Sequence, residues 1–424
     1  MELAKLVDYA ASLDCIHCGL CLRTCPTYRL TGAESSSPRG RIYLMRGVAE
    51  GREEATEPGF VLEMEFCLVC RHCESVCPAG VRFGEMMETT RAGLARTLRR
   101  PWYARLVRHV GYDRVLASRR GLAIAAALAR FGQRTGLVKL LARFGGVRGR
   151  ALANLPAVPP RAERRPLPQR TAAEGTLRGS CNMLEGCVMP ELLGEVNRAT
   201  ARVLAAIGWE SRRPRDHACC GALHAHNGDL EGARRLARRT IEAFDALDAG
   251  SAEPRPVVVN SAGCGAHMKA YGALLADDPA WAERARAFAG RVLDFTEFVD
   301  RHAPDDFAPP AAPDLGVVTY DDPCHLCHGQ GIRAEPRRLL DRVAGLRRVE
   351  LPEAESCCGS AGVYSLVRPA DSAAIFAEKL DAFRRSGATV VVTANPGCQL
   401  QWTAGLAAAG VRARVLHVAE LLAP

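Results

Sequence analysis

Eight cysteines in the first quarter of the chain fall into two copies of one pattern. Cys15, Cys18, Cys21 and Cys25 are followed by Pro26, and Cys67, Cys70, Cys73 and Cys77 by Pro78. Each copy reads C-x2-C-x2-C-x3-C-P, the spacing that holds [4Fe–4S] cubes. Three thiolates on one tight loop can each reach a different iron of a cube. The fourth lies too far along the chain to close that cube comfortably and serves the neighbouring one. The expectation is two cubes ligated crosswise: Cys15, Cys18, Cys21 and Cys77 on the first, Cys67, Cys70, Cys73 and Cys25 on the second. Structural zinc takes four ligands, usually as two separated pairs, and requires neither the third cysteine nor the proline.

The other ten of the 18 cysteines divide into two sets of five. Cys187, Cys219, Cys220 and Cys264 align with Cys324, Cys357, Cys358 and Cys398 at offsets of 137, 138, 138 and 134 residues. Both copies contain Cys-Cys-Gly, and both have a small-residue turn before the last cysteine, at Ser261–Cys264 and Asn395–Cys398. Cys181 and Cys327 do not align and stand as extras. Four thiols per copy suffice for one or two additional iron–sulfur clusters. The alternatives are a redox disulfide pair, strained where cysteines are adjacent, or buried structural thiols. Six of the eleven histidines crowd the same loops: His217, His224, His226, His267, His325 and His328. Neutral histidines commonly fix loops by hydrogen bonding. His224 and His226 are also candidates for proton delivery, because imidazole titrates near neutral pH.

These residues need elements to position them. Short β-branched runs precede the repeated cysteines at Pro256–Asn260, Leu315–Tyr320 and Thr389–Thr393. They alternate with Ala- and Arg-rich helical stretches, which predicts βα units with a parallel sheet and ligands beyond the carboxyl ends of the strands. Ser37–Arg41 reads as a turn, with a helix from about Ile42 to Ala49. The predicted fold is α/β with a mainly helical N-terminal part. A helical dicluster ferredoxin-type domain spans residues 1–95 and a basic helical linker 96–174. Two repeated α/β Cys-Cys-Gly subdomains follow at 175–300 and 301–424.

From Arg91 to Arg170 there are 19 Lys plus Arg against Asp113 and Glu163, although the whole chain carries only +9. Leu137, Leu140, Leu141 and Phe144 recur at helical spacing among Arg134, Lys139 and Arg143, the pattern of a basic amphipathic helix. Such a helix suits an anionic membrane surface or an acidic partner, or packs as an ordinary linker. Pro156, Pro159, Pro160, Pro166 and Pro168 mark a stiff connector. At 48% apolar and 24% charged the composition is that of globular domains and excludes a disordered or collagenous chain. The N-terminus shows no secretory signal, which makes metal and redox roles a better account of the cysteines than disulfides. The basic segment has too few aromatics and no motif for nucleic-acid binding.

Taken with Cys18–Cys21, Cys25–Tyr28, Ser37–Arg41, Asp216–His224, Tyr320–His325, Cys357–Gly362 and Asn395–Cys398, the chain resembles, over essentially its full length, the iron–sulfur subunit of bacterial glycolate oxidase. The Cys-Cys-Gly module is shared with heterodisulfide reductase subunits, a lactate-utilisation protein and anaerobic glycerol-3-phosphate dehydrogenase. The resemblance implies an electron-transfer subunit beside flavin-bearing subunits that oxidise glycolate to glyoxylate, with electrons passing toward a quinone. It places the chain in the cytoplasm, peripheral on the inner face of the membrane. The alternative is a relative that performs chemistry at the Cys-Cys-Gly module itself. In the fuller family motif each repeat ends in C-x2-C, whereas Ser261 and Asn395 replace the first cysteine of that pair here. No flavin or NAD is expected in this chain: Gly329–Ala334 matches G-x-G-x-x-A but does not directly follow a strand.

Overall fold

The computed structural model describes residues 6–99, 101–144, 156–215 and 219–424. In the N-terminal part, helices Pro26–Thr31, Pro38–Ala49, Pro58–Phe66 and Phe83–Thr97 pack around the two cysteine loops. The first three begin with proline, whose missing N–H costs nothing in the first turn of a helix. Ser37–Arg41 is therefore not a separate turn. The Ser37 hydroxyl accepts the Gly40 N–H at 3.0 Å and Pro38 opens the helix, so the sequence read as a turn is a helix cap. Ile42, Met45, Phe60, Met64, Phe83 and Met86 close the core of this module.

The basic segment is helical over Trp102–His109, Val110–Leu116 (a π-helical stretch), Arg119–Arg134 and Leu137–Phe144. The proline-rich connector is non-helical as expected, but it is not a free spacer. Gln133 donates to the Pro156 carbonyl at 2.8 Å and accepts the Val158 N–H at 3.0 Å, which straps the connector to the helix before it.

Among the described residues nine strands follow: β1 (Arg170–Thr171), β2 (Gly179–Leu184), β3 (Trp209–Arg212), β4 (Val257–Val259), β5 (Val292–Asp294), β6 (Val317–Asp321), β7 (Arg347–Glu350), β8 (Val390–Thr393) and β9 (Arg414–His417). They form two sheets, ordered β1-β3-β2-β4-β5 and β7-β6-β8-β9. All pairs are parallel except β1 with β3. Without β1 the two sheets have the same topology, so the repeat in the sequence is a repeat in space. The central strands β4 and β8 are buried along their whole length, as unbroken β-branched runs require. One apolar core crosses both repeats, with Leu204 and Phe298 from the first and Leu339, Val418 and Leu422 from the second. Every repeated cysteine lies beyond the carboxyl end of a strand. Cys187 and Cys264 follow β2 and β4, Cys324 and Cys398 follow β6 and β8, and the Cys-Cys pairs follow β3 and β7.

Candidate metal centres

All 18 cysteines are described and none forms a disulfide. In the first loop His17 and Gly19 adopt left-handed backbone, with φ of 55° and 83°. Val69 and Arg71 do the same at equivalent places in the second loop, with φ of 54° and 63°. A β-branched residue in this region is an outlier and costs about 1–3 kcal/mol. The conformation turns the Val69 N–H toward the Cys67 sulfur at 3.3 Å. Alternating left- and right-handed residues form the concavity of backbone N–H groups found around anions and iron–sulfur sites.

One cavity is lined by Cys15, Cys18, Cys21, Cys73 and Cys77. Burial pushes the Cys73 thiol up, and Cys70, Cys67 and Cys25 beside it push it further. The two loops approach each other closely: Cys25 lies near Cys21 as well as Cys67 and Cys73, and Cys73 and Cys77 both line the cavity of the first loop. Cys18 is exposed, and the other seven are partly or fully buried. Eight free thiols on two loops with inward N–H groups fit a pair of iron–sulfur cubes.

The repeats carry two further thiol sets. In the first, Cys187, Cys219, Cys220 and Cys264 lie side by side; contact with Cys187 and Cys220 holds Cys219 well below the usual thiol range, and Cys220 is pushed up. In the second, Cys324, Cys357, Cys358 and Cys398 do likewise, with Cys358 held low between Cys357 and Cys398. The Cys358 and Cys398 sulfurs are 3.4 Å apart. The residues replacing the missing cysteines face these thiols: Ser261 lies beside Cys264 and lowers its thiol, and the Asn395 amide lies 3.5 Å from the Cys398 sulfur. Cys181 is buried in the apolar core and Cys327 is buried beside the second set; neither belongs to a thiol series.

The second ferredoxin-type loop is wedged against the second repeat. Cys70 packs against the apolar cluster that contains Cys357. The Val69 carbonyl accepts His325 Nε2 at 2.9 Å, and His72 stacks on His328 at 4.0 Å. Phe66, Leu68, Tyr364 and Ile375 seal this contact from water. Arg91 ties the module to the first repeat by donating to the Met64 carbonyl at 3.0 Å and the His226 carbonyl at 2.7 Å. Gly228 backs onto it so closely that a Cβ would meet the Arg91 carbonyl oxygen at 2.4 Å.

The histidines divide by surroundings. Burial pushes His267 and His325 down to about 4 and His328 to about 3, so they are neutral hydrogen-bonding groups at neutral pH. His224 is fully buried, edge-on to Tyr112 and beside Cys219. His226 is part-buried and lies 2.6 Å from the Glu88 carboxylate. His217 lies outside the described residues.

Several residues escaped the sequence reading. Arg41 is 0% exposed and donates to the Glu63 carbonyl at 2.8 Å, the Ser36 carbonyl at 2.7 Å and the Thr27 hydroxyl at 3.0 Å, with the Glu63 carboxylate at 3.3 Å. It was legible only as part of Ser37–Arg41. Arg91, Glu88 and Lys379, the last paired with Asp321 at 2.6 Å, carried no signal. Glu88 has its partner in the first repeat, Lys379 on strand β6, and Arg91 both in its own module and in the first repeat.

Comparison with known proteins agrees with this geometry. Residues 14–82 match the 4Fe-4S dicluster domain model, and residues 181–269 and 318–403 each match the cysteine-rich domain model. The cofactors thus include two [4Fe–4S] clusters. A Bacillus subtilis protein described as a probable glycolate oxidase iron–sulfur subunit is 36% identical, over 99% of this chain and 95% of its own. The Escherichia coli glycolate oxidase iron–sulfur subunit is 34% identical, over 96% and 92%. Lactate utilization protein A of an Exiguobacterium species is 33% identical but covers only 56% of this chain, against 94% of its own. The shorter relative accounts for little more than half of the chain, whereas the first two account for nearly all of it, and on that likeness the chain belongs to the family of glycolate oxidase iron–sulfur subunits.

Proposed function

We propose that this chain is the electron-transfer subunit of a complex whose flavin-bearing subunits oxidise glycolate to glyoxylate, with a quinone at the inner face of the membrane as acceptor. Glycolate and the complex are taken from the names of the two full-length relatives. The observation that carries the role of this chain is the packing of Cys70 against the cluster that contains Cys357, which brings the second cysteine loop up to the thiols of the second repeat.

Cys15, Cys18, Cys21 and Cys77 hold one cube, and Cys67, Cys70, Cys73 and Cys25 the other. The aligned thiols of the two repeats hold the additional iron–sulfur centres. Such centres, when bound, take up and release single electrons. The chain's own residues set their surroundings. The loops present N–H groups to sulfur, Arg41 places a buried cation beside Cys25, and Phe66, Leu68 and Tyr364 exclude water between the two modules. His226, held by Glu88 and partly open to solvent, is better placed than the fully buried His224 to deliver a proton to an acceptor.

Copurification with the flavin-bearing subunits followed by turnover with glycolate and with lactate tests the reaction; preference for glycolate is the expected result. Alanine at both Cys219 and Cys357 is expected to lower iron content and quinone-dependent turnover together, and unchanged values of both remove the redox role of the repeats. His226→Gln is expected to keep full iron content while slowing quinone-dependent turnover more than turnover with an artificial one-electron acceptor.

One observation favours a second reading, in which the repeats perform substrate chemistry as in the heterodisulfide relatives. A cavity of about 750 Å³ opens beside Cys219 and is lined by Arg212, Arg213, Arg215 and Arg239. Reduction of a small anionic disulfide by the isolated chain with an artificial donor, abolished in Cys219→Ala, is its test.

A further inference from the structure

Among the described residues, 22 large apolar side chains are exposed, and 12 of them lie between residues 101 and 144, about a tenth of the chain. They are arranged in stripes, one per helix. On Trp102–His109 the stripe is Trp102, Tyr103, Leu106 and Val107, each more than half exposed. On Arg119–Arg134 it is Ile124, Leu128 and Phe131, all above 60% exposed, while Leu122 and Ala126 of the same helix face inward. On Leu137–Phe144 it is Leu137, Leu140, Leu141 and Phe144. A helix docked on its own protein buries its apolar stripe; among the described residues nothing covers these three.

The charge around the stripes has one sign. Residues 101–144 contain nine Lys plus Arg and one acid, Asp113. Asp113 is already engaged by Arg235 at 2.8 Å and His109 at 2.6 Å. Arg119 and Arg130 face inward, to the Glu185 carboxylate and the Val158 carbonyl. Arg105, Arg114, Arg120, Arg134, Lys139 and Arg143 flank the stripes without an acidic partner among the described residues. None of these helices is long and apolar enough to cross a membrane.

Short helices with an open apolar stripe, flanking arginines, almost no acid, and Trp and Tyr among the exposed rings have the composition of segments that lie in the interfacial plane of an anionic bilayer. The charge complementarity settles the occupant. The cations lie along the flanks of the apolar stripes and carry one sign, so long Lys and Arg stems reach lipid phosphates as the apolar side chains enter the acyl boundary. We infer that the three-helix layer of residues 101–144 is a membrane-docking surface that seats the chain on anionic phospholipid. The inference rests on the proposed quinone acceptor only for its purpose, since the surface itself is described by exposure and charge.

The test is flotation of the full-length, cluster-loaded chain with vesicles of phosphatidylglycerol and phosphatidylethanolamine, beside vesicles of phosphatidylcholine alone. Binding is expected to the anionic vesicles and to be at least about tenfold weaker with phosphatidylcholine or in high salt. Leu140→Asp with Phe144→Asp, both on the solvent side of their helix, is expected to lose binding with iron content intact, and Lys139→Glu with Arg143→Glu to lose it likewise. Absence of binding to anionic vesicles overturns the inference. So does unchanged binding by the aspartate variant, or loss by that variant of copurification with the flavin-bearing subunits while vesicle binding persists, which would assign the face to a protein partner. Vesicle binding requires no turnover, so its failure leaves the proposed reaction standing, and failure to oxidise glycolate leaves the vesicle result standing.

Discussion

Alanine at Cys25 is expected to remove one cube of the two, and the cube lost is the one held by the other loop. The iron and sulfide held by the two N-terminal loops should fall by about half, because a [4Fe–4S] cube deprived of a cysteine ligand is not retained at full occupancy. The double variants separate the crosswise arrangement from local ligation. Cys25 lies near Cys67 and Cys73. In the crosswise arrangement Cys25→Ala with Cys70→Ala removes two ligands of the same cube and should leave the iron of the other N-terminal cube in place. Cys25→Ala with Cys18→Ala takes one ligand from each cube and should strip nearly all the iron held by the N-terminal loops. If each loop held its own cube, the two double variants would exchange outcomes. Chemical iron and sulfide analysis of anaerobically purified variants gives the answer.

Arg41→Met is expected to be the most destabilising single change outside the cysteines. The guanidinium is fully buried and satisfies two carbonyls, a hydroxyl and the Glu63 carboxylate, which is itself only 14% exposed. Removing one partner of a buried pair leaves the other charge uncompensated, at a cost of about 3–5 kcal/mol. The consequence should reach the metal site, because Arg41 fixes Thr27 and Ser36, which also contact the Cys25 sulfur. Arg41→Lys should recover only part of the loss, since one ammonium cannot span the positions that the planar fork reaches. Denaturation of the cluster-loaded protein, with iron release followed in parallel, reads both effects. A midpoint within error of the wild type for Arg41→Met contradicts the role assigned here.

What could be read in the sequence was what depends on spacing. The two cysteine loops, the Cys-Cys-Gly repeat and the strands ahead of Cys264, Cys324 and Cys398 each follow from a local pattern, and each is present in the fold. The helix of Leu137, Leu140, Leu141 and Phe144 was equally legible from its period. Ser37–Arg41 was misread because serine followed by proline suits both a turn and a helix cap, and only the hydrogen bond to Gly40 distinguishes them. β1 left no trace because two residues cannot show alternation, although its pairing with β3 extends the first sheet ahead of residue 175. The contacts that join the modules were beyond reach. Cys70 with Cys357, His72 with His328 and Arg91 with the His226 carbonyl connect residues more than a hundred positions apart, with no periodic signature. The open stripes of Trp102–His109 and Arg119–Arg134 were missed because periodicity gives a helix an apolar face but not whether anything covers it.

The central claim is that the N-terminal loops carry two one-electron iron–sulfur centres close enough to sense each other. Electron paramagnetic resonance of the anaerobically purified, dithionite-reduced chain tests it most directly, with metal analysis of the same sample. The expected result is the signal of two reduced [4Fe–4S] clusters, broadened by their mutual interaction and lost on selective alanine replacement of Cys70 and Cys77 together. A colourless protein with zinc as its bound metal and no resonance after reduction would contradict the account.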